Sequence, residues 1–382
     1  MSINFYPEPD KSLLENSAFG ELRVIEPIPK IQVQFPYNIN SRIVTDRSGG
    51  GGSLTHASGM AILSTGASAN ASGVFETVNV LKYNTGQGGL VRFTAIFSSG
   101  VANNTQIIGL GDELDGFFFG FNGTTFSILR RRDGVDNWIP QSSWNINTLP
   151  ELNPGLGNVY QIQYQWLGFG QMTFFIEDKN TGGFTPVHRI QYANTNLAPS
   201  ILNPTLPIMA MTHNVSNTTD VVLKTPSLAA FSEGPDVVLP IVNASGLLYN
   251  LSGAEVPVFS IRNDLIYQGR KNRVRIELQR LYAANDTTGN VRITIVKNAT
   301  LTNANFNPFN SNSVASMDFS ASAATGGIDL GVVYMASTSS NNAEFSGQNI
   351  ILNPGETLTI LAIRRGGAAG NLDTGIIWGE RF

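Results

Sequence analysis

Three carboxylates stand close together in a glycine-rich stretch of the sequence, residues 109–116. Asp112, Glu113 and Asp115 offer oxygen ligands of the kind that calcium binds, and two such carboxyl groups can supply the acid and the base of a glycosidase. Their spacing differs from the alternating acidic positions of the common calcium-binding loop. They are therefore candidate calcium ligands, and the alternative interpretation is a solvated loop between two strands.

A second candidate site combines two tryptophans with amide side chains. Trp138 and Trp144 flank a short irregular segment, and Asn137, Gln141 and Asn145 lie next to them. Aromatic rings can stack on the apolar face of a sugar while amides hydrogen-bond its hydroxyl groups. The pattern predicts a carbohydrate site at these five residues. Aromatic residues that close the end of a β-sandwich would explain the same pattern.

Motifs for covalent or redox chemistry are missing from the sequence. It contains no cysteine, which excludes disulfides, thiolate metal sites and cysteine nucleophiles. It has three histidines, His56, His188 and His213, too few for a multi-histidine metal centre, and neither His188 nor His213 has the local partner that a catalytic triad needs. There is no nucleophile elbow, phosphate loop or dinucleotide fingerprint. We therefore expect a protein that is not an enzyme and that needs no cofactor.

The charge balance restricts the possible partners. With 24 basic and 28 acidic side chains, the net charge is −4, which disfavours a dedicated nucleic-acid binder. No apolar run approaches the ~18 residues of a membrane helix, and the first residues lack the basic patch and apolar core of a signal peptide. The expected protein binds no nucleic acid and does not insert into a membrane.

Alternation with period two runs through most of the chain. Tyr160, Ile162 and Tyr164 alternate with Gln161 and Gln163, which predicts a half-buried strand. The aromatic run 117–121 predicts a central strand, and the Asn-Gly pair that follows it is a strong hairpin signal. Many short strands separated by glycine and asparagine predict an all-β protein built of two-sheet sandwiches.

Shifts in composition divide the predicted chain into three parts. Residues 1–55 are rich in proline and end in a run of four glycines, which predicts an extended N-terminal arm on a flexible joint. The alternative interpretation of this segment is a disordered tail followed by an edge strand. Residues 56–233 predict a first β-sandwich, and residues 234–382 a second, smaller β-sandwich. The predicted fold class is therefore all-β, with two sandwich domains after an extended arm.

Several segments resemble virion structural proteins of tailed phages and large DNA viruses. The segments are residues 112–126 (DELDGFFFGFNGTTF), 158–170 (NVYQIQYQWLGFG), 203–208 (NPTLPI), 257–263 (PVFSIRN) and 272–274 (NRV). The resemblance implies a jelly-roll or concanavalin A-like sandwich and a component of the capsid surface, vertex, tail or fibre. It carries no catalytic residues over to this chain.

Two functions follow as expectations. The first is a virion structural protein that assembles with other capsid or tail subunits and with copies of itself, through the arm and the sandwiches. The alternative is a lectin-like protein that attaches to a host surface glycan through the loop at Trp138 and Trp144. A glycan-cleaving enzyme that uses Asp112, Glu113 or Asp115 is a third, weaker hypothesis.

Overall fold

The computed structural model describes residues 27–234, 240–251, 253–344 and 350–382. In those ranges the chain forms 31 strands and one short 3-10 turn, Gln141–Ser143. The prediction of an all-β protein built of sandwiches is confirmed. The chain divides after Asp236 into two compact units.

Within its described residues, 27–234, the first unit contains sixteen strands. In chain order these are β1 (Pro27–Gln34), β2 (Val44–Asp46), β3 (Ser53–Ala57), β4 (Met60–Ser64), β5 (Ser72–Thr77), β6 (Gly89–Phe97), β7 (Asn104–Gly111), β8 (Gly116–Asn122), β9 (Thr125–Arg132), β10 (Val135–Pro140), β11 (Asn158–Tyr164), β12 (Met172–Glu177), β13 (Phe184–Ile190), β14 (Ile208–Asn214), β15 (Val222–Thr225) and β16 (Ser227–Glu233).

The second unit contains the remaining strands. They are β17 (Ile241–Leu251), β18 (Val256–Asn263), β19 (Ile266–Tyr267), β20 (Arg270–Lys271), β21 (Arg275–Asn285), β22 (Asn290–Lys297), β23 (Thr300–Thr302), β24 (Asn307–Pro308), β25 (Ala315–Asp318), β26 (Ala323–Thr325), β27 (Ile328–Met335), β28 (Ser339–Glu344), β29 (Ile351–Leu352), β30 (Thr357–Arg365) and β31 (Gly370–Arg381).

Two antiparallel sheets form the first unit. The nine-stranded sheet has the order β13-β12-β11-β6-β15-β4-β3, and β16 pairs with β6 and carries β1 on its other side. The seven-stranded sheet has the order β10-β9-β8-β7-β14-β5-β2. Side chains from both sheets meet in one hydrophobic core, so the unit is a β-sandwich.

Aromatic contacts hold the two sheets together. Tyr160 of β11 stacks on Phe93 of β6 at 5.7 Å between ring centroids. Phe119 of β8, in the opposite sheet, approaches Tyr160 to 4.9 Å and Phe174 of β12 to 5.4 Å. The predicted hairpin after the aromatic run is confirmed, since β8 and β9 pair directly and Gly123 takes the left-handed φ of +59° that the turn requires.

The predicted N-terminal arm of residues 1–55 is wrong from residue 27 onward. β1 pairs with β16 along most of its length, and Ile31, Val33 and Phe35 are buried in the core of the first unit. Prolines 27 and 29 are tolerated because they stand at the start of a strand with a bulge. Residues 1–26 of the predicted arm lie outside the described residues.

The run of glycines at residues 49–52 lies where two backbone segments pack closely, and it does not form the predicted flexible joint. Gly49 forms a backbone bridge with Ser72. A Cβ on Gly50 would lie 2.7 Å from the backbone oxygen of Asn70, and one on Gly52 would lie 2.4 Å from the backbone of Ser72. At Gly50 and Gly52, therefore, two backbone segments approach too closely to accommodate a side chain.

The second unit is also built of two main sheets. One has the order β17-β31-β21-β28, with β29 also on β21, and the other has the order β24-β25-β18-β30-β22-β27. Their inner faces share a core that includes the fully buried Trp378. Within this core the carboxylate of Glu380 accepts hydrogen bonds from Trp378, Ser313, Asn243 and the backbone of Val314.

If β1 belongs to the first unit, truncation of Phe35 will destabilise that unit. Phe35 is 2% exposed, and Phe35→Ala is expected to cost about 3–5 kcal/mol through lost burial and a new cavity. The matched control is Tyr37→Ala, because Tyr37 is 88% exposed and its loss is expected to change stability by less than about 0.5 kcal/mol. Guanidinium unfolding of both variants measures the difference, and equal stabilities would show that the chain directly after β1, where Phe35 lies, is not part of the core.

Candidate functional site

The predicted carbohydrate site is not assembled, because Trp144 is a core residue. Its side chain is 5% exposed and makes edge contacts with the rings of Phe119 and Phe126, each at 6.1 Å between centroids. Both faces of the indole therefore lie among hydrophobic neighbours. The expectation that Trp144 stacks on a sugar is wrong for this structure.

Trp138 lies on the other side of the seven-stranded sheet. Trp138 is on β10, opposite Leu129 of β9. It belongs to a small apolar cluster on the outer face of the sheet, together with Phe118 and Met209. The ring is partly exposed. The two tryptophans thus lie on opposite faces of one sheet and cannot line a single site.

Two of the three amide side chains of the predicted site hydrogen-bond to the protein backbone instead. Asn145 exchanges two hydrogen bonds with the backbone of Arg189, donating at 2.9 Å and accepting at 2.8 Å. Gln141 donates to the carbonyl oxygens of Thr148 and Leu149. Asn137 is exposed on β10.

The acidic candidates Asp112 and Asp115 are buried and bind backbone amides. One carboxylate oxygen of Asp112 accepts from the N–H groups of Leu114 and Asp115. Asp115 accepts from the N–H groups of three residues in two other segments, Asp133, Leu202 and Asn203.

Glu113, between these two aspartates, is exposed. Within the part of the chain that the structure describes, no group of three or more acidic, histidine or cysteine side chains is arranged to hold a metal ion. The acidic loop is therefore a structural junction, and the calcium assignment of Asp112, Glu113 and Asp115 is not supported by the geometry.

A groove opens on the outer face of the nine-stranded sheet, the face turned away from the core. Its volume is about 410 Å³. Strands β1, β16, β6 and β11 form its floor and walls. The side chains that point away from the core along it include Gln32, Gln34, Arg92, Thr94, Val159 and Phe231.

Two buried glutamines lie on the same outer face of the sheet without lining the groove. Gln161 stands opposite Arg92, and Gln163, two residues further along β11, stands on the same face. Gln161 is fully buried and Gln163 is 5% exposed. The Nε2 amide nitrogens of both side chains have no hydrogen-bond acceptor among the described residues.

Arg92 lines the groove and also hydrogen-bonds the side chain of Gln161. Its Nε donates to Oε1 of Gln161 at 2.6 Å, and its guanidinium carbon lies 5.0 Å from the centre of the Phe184 ring. The Gln161 amide is thereby held with its oxygen toward Arg92 and its NH2 group directed elsewhere. The face combines a cation, aromatic rings and two amides whose NH2 donors find no acceptor in the described part of the chain.

The sequence contained a signal for this face. The glutamines alternate with core aromatics on β11, and that pattern predicts an outward-facing polar row. It does not predict their burial, which depends on the side chains of neighbouring strands.

No known protein family matches the sequence, and no curated protein is similar to it. The fold resembles several solved structures at low identity. The catalytic domain of an endo-1,3-beta-glucanase (laminarinase) from Thermotoga petrophila has a TM-score of 0.40 and 10% identity, over 56% of this chain and 100% of that one. The CBM2 module of the evolved Dit of Lactobacillus casei BL23 phage J-1 has a TM-score of 0.37 and 10% identity, over 56% and 99%.

A beta-glucanase of Bacillus licheniformis has a TM-score of 0.37 and 13% identity, over 53% of this chain and 97% of its own. At these values the likeness bears on neither the ligand nor the activity of this chain.

Among the described residues there is no helix of the length and apolar character needed to cross a membrane.

Removal of the Asp115 carboxylate is expected to destabilise the first unit. Asp115→Ala leaves three backbone N–H groups without their acceptor, at a cost of about 2–4 kcal/mol. Glu113→Ala is the control, since this neighbouring carboxylate is exposed. Thermal unfolding with and without calcium measures both effects. A melting temperature that rises with calcium in the wild type and not in Asp115→Ala would restore the metal-site interpretation.

His188 is expected to make stability depend on pH. Burial lowers the pKa of His188 below its ordinary value, and its Nδ1 accepts a hydrogen bond from the backbone N–H of Asn145. The unfolded chain therefore binds a proton more readily than the folded one as the pH falls below about 6.5. The free energy of unfolding should decrease between pH 7 and pH 5.

The comparison for this pH effect is His188→Gln, which removes the titrating group. Guanidinium unfolding at several pH values is expected to give a flatter dependence for the variant than for the wild type, because the other histidines are common to both. An identical slope in the two proteins would contradict the assignment to His188.

Proposed function

We propose that the first unit is a carbohydrate-binding module and that its site is the groove on the outer face of the nine-stranded sheet. The observation that supports this most directly is the set of side chains along the groove, where the amides of Gln32 and Gln34 lie with Arg92 and the ring of Phe231. Both glutamines are exposed, so their amides are open to a ligand.

Sugar hydroxyl groups have the chemistry that such a face requires. A hydroxyl both donates and accepts hydrogen bonds, so it can accept from an amide NH2 and donate to a neighbouring carbonyl. Arg92 can donate to ring or hydroxyl oxygens, and Phe231 offers an apolar surface in the same groove. The volume of about 410 Å³ lies within the range of ~300–1,000 Å³ that is usual for small-ligand sites.

Binding without cleavage is the form of this function that we propose. None of the described residues lining the groove carries a carboxyl group, whereas glycoside hydrolysis generally needs a pair of them. Asp112 and Asp115 lie in the turn between β7 and β8 of the other sheet and bind backbone amides.

We also propose that this module works on a virion, as a part of the capsid surface, vertex, tail or fibre that meets the host. The proposal of a location on a virion rests on the sequence resemblance alone. Mass spectrometry of purified particles tests it, because the chain must be present there in stoichiometric amounts.

Substitution of the two groove glutamines separates binding from stability. Gln32→Met and Gln34→Met keep the approximate volume of the side chain and remove the amide. Each is expected to weaken glycan binding by about 2–10-fold, the value of one neutral hydrogen bond. Both positions are exposed, so each variant should change stability by less than about 0.5 kcal/mol. An immobilised glycan array identifies the ligand, and titration calorimetry measures the affinities.

The control for this experiment is Trp138→Ala, which alters the other aromatic candidate. Binding is expected to persist in this variant, because Trp138 lies on the seven-stranded sheet. Two outcomes would contradict the proposal. In one, no glycan on the array retains the protein, and in the other, Trp138→Ala abolishes binding while both glutamine variants keep it.

A further inference from the structure

The longest unprotected sheet edge in the described part of the chain is β17, in the second unit. Its eleven residues pair antiparallel with β31 on one side, from Ile241 opposite Glu380 to Leu251 opposite Gly370. Among the described strands none pairs with its other side. That side presents a row of backbone N–H and C=O groups, which is a template for another strand.

β17 lacks the features that usually protect an edge. Its sequence, IVNASGLLYNL, contains no charged residue and no proline. Other long edge strands of the molecule do contain them, namely β10 with Asp136 and Pro140, β13 with Pro186, and β27 with Asp329. Charges and prolines on edges prevent strands from adding to one another, so their absence from β17 permits such addition.

The outer face of β17 is also unusually apolar for an exposed strand. Val242 is 57% exposed and Leu248 is 60% exposed. At the middle of the strand Gly246 stands opposite Gly375 of β31, so neither strand carries a side chain there. An uncharged edge eleven residues long can pair with another strand over its whole length.

We propose that two copies of the chain associate through antiparallel pairing of β17 with β17. The register that pairs all eleven residues is centred on Gly246, so that each Ala244 faces the partner's Leu248 across a twofold axis. Like charges directly opposite each other destabilise a strand pair, and self-pairing of β17 places none. The pair would form about ten backbone hydrogen bonds, and one continuous sheet would run through both copies.

This register allows a charge-swap test on the full-length chain. In the double variant Ala244→Lys with Leu248→Lys, each new lysine would face a lysine of the other copy. In the matched variant Ala244→Lys with Leu248→Glu, each lysine would face a glutamate. Both positions are exposed in one copy of the chain, so both variants are expected to fold, and circular dichroism checks this.

Sedimentation equilibrium then measures the mass in solution against the 41.1 kDa of one chain. We expect a dimer for the wild type, a dimer for the lysine–glutamate variant, and an association at least about tenfold weaker for the lysine–lysine variant. Hydrogen exchange should show protected amides along β17 in the first two proteins and faster exchange in the third.

Three outcomes would overturn the inference. The first is a wild-type chain that stays monomeric at 100 µM, which would leave the edge to a different partner. The second is a lysine–lysine variant that dimerises as strongly as the wild type, which would place the interface elsewhere. The third is a lysine–glutamate variant as monomeric as the lysine–lysine variant, which would exclude the register centred on Gly246.

Discussion

The aromatic core of the first unit fixes the face on which every side chain of its central strands must lie. Phe93, Tyr160 and Phe119 contact one another between the two sheets at 4.9–6.5 Å. Because side chains alternate along a strand, a slip of one residue would turn Tyr160 to the outside and Gln161 into the core. The energy of the core therefore also positions the polar row of β11, although those amides contribute nothing to the core itself.

Local sequence patterns predicted the strands well because alternation is a local property. The hairpin of β8 and β9 and the alternating strand β11 were both readable from a few consecutive residues. The burial of Gln161 was not readable, since it depends on Arg92 and Phe175 in the two neighbouring strands. These partners are distant in the sequence, and only the completed sheet brings them together.

The two tryptophans show a different limit of sequence reasoning. Trp138 belongs to a regular strand, but the chain then passes through the 3-10 turn at residues 141–143 before it reaches Trp144. A turn of that kind changes the phase of the alternation, so the face on which Trp138 lies does not predict the face on which Trp144 lies.

The prediction for the N-terminal segment was wrong for a related reason. Its prolines favour extended backbone, and extended backbone is equally compatible with an arm and with an edge strand.

The pairing of β1 with β16 has a consequence for how the chain folds during its synthesis. β1 begins at residue 27, and its partner ends at residue 233. About two hundred residues must therefore leave the ribosome before β1 can take its place, and closure over such a separation is slow. Until then Ile31, Val33 and Phe35 have no core to enter. The apolar side chains of this segment therefore stay exposed to solvent until the rest of the first unit has been synthesised.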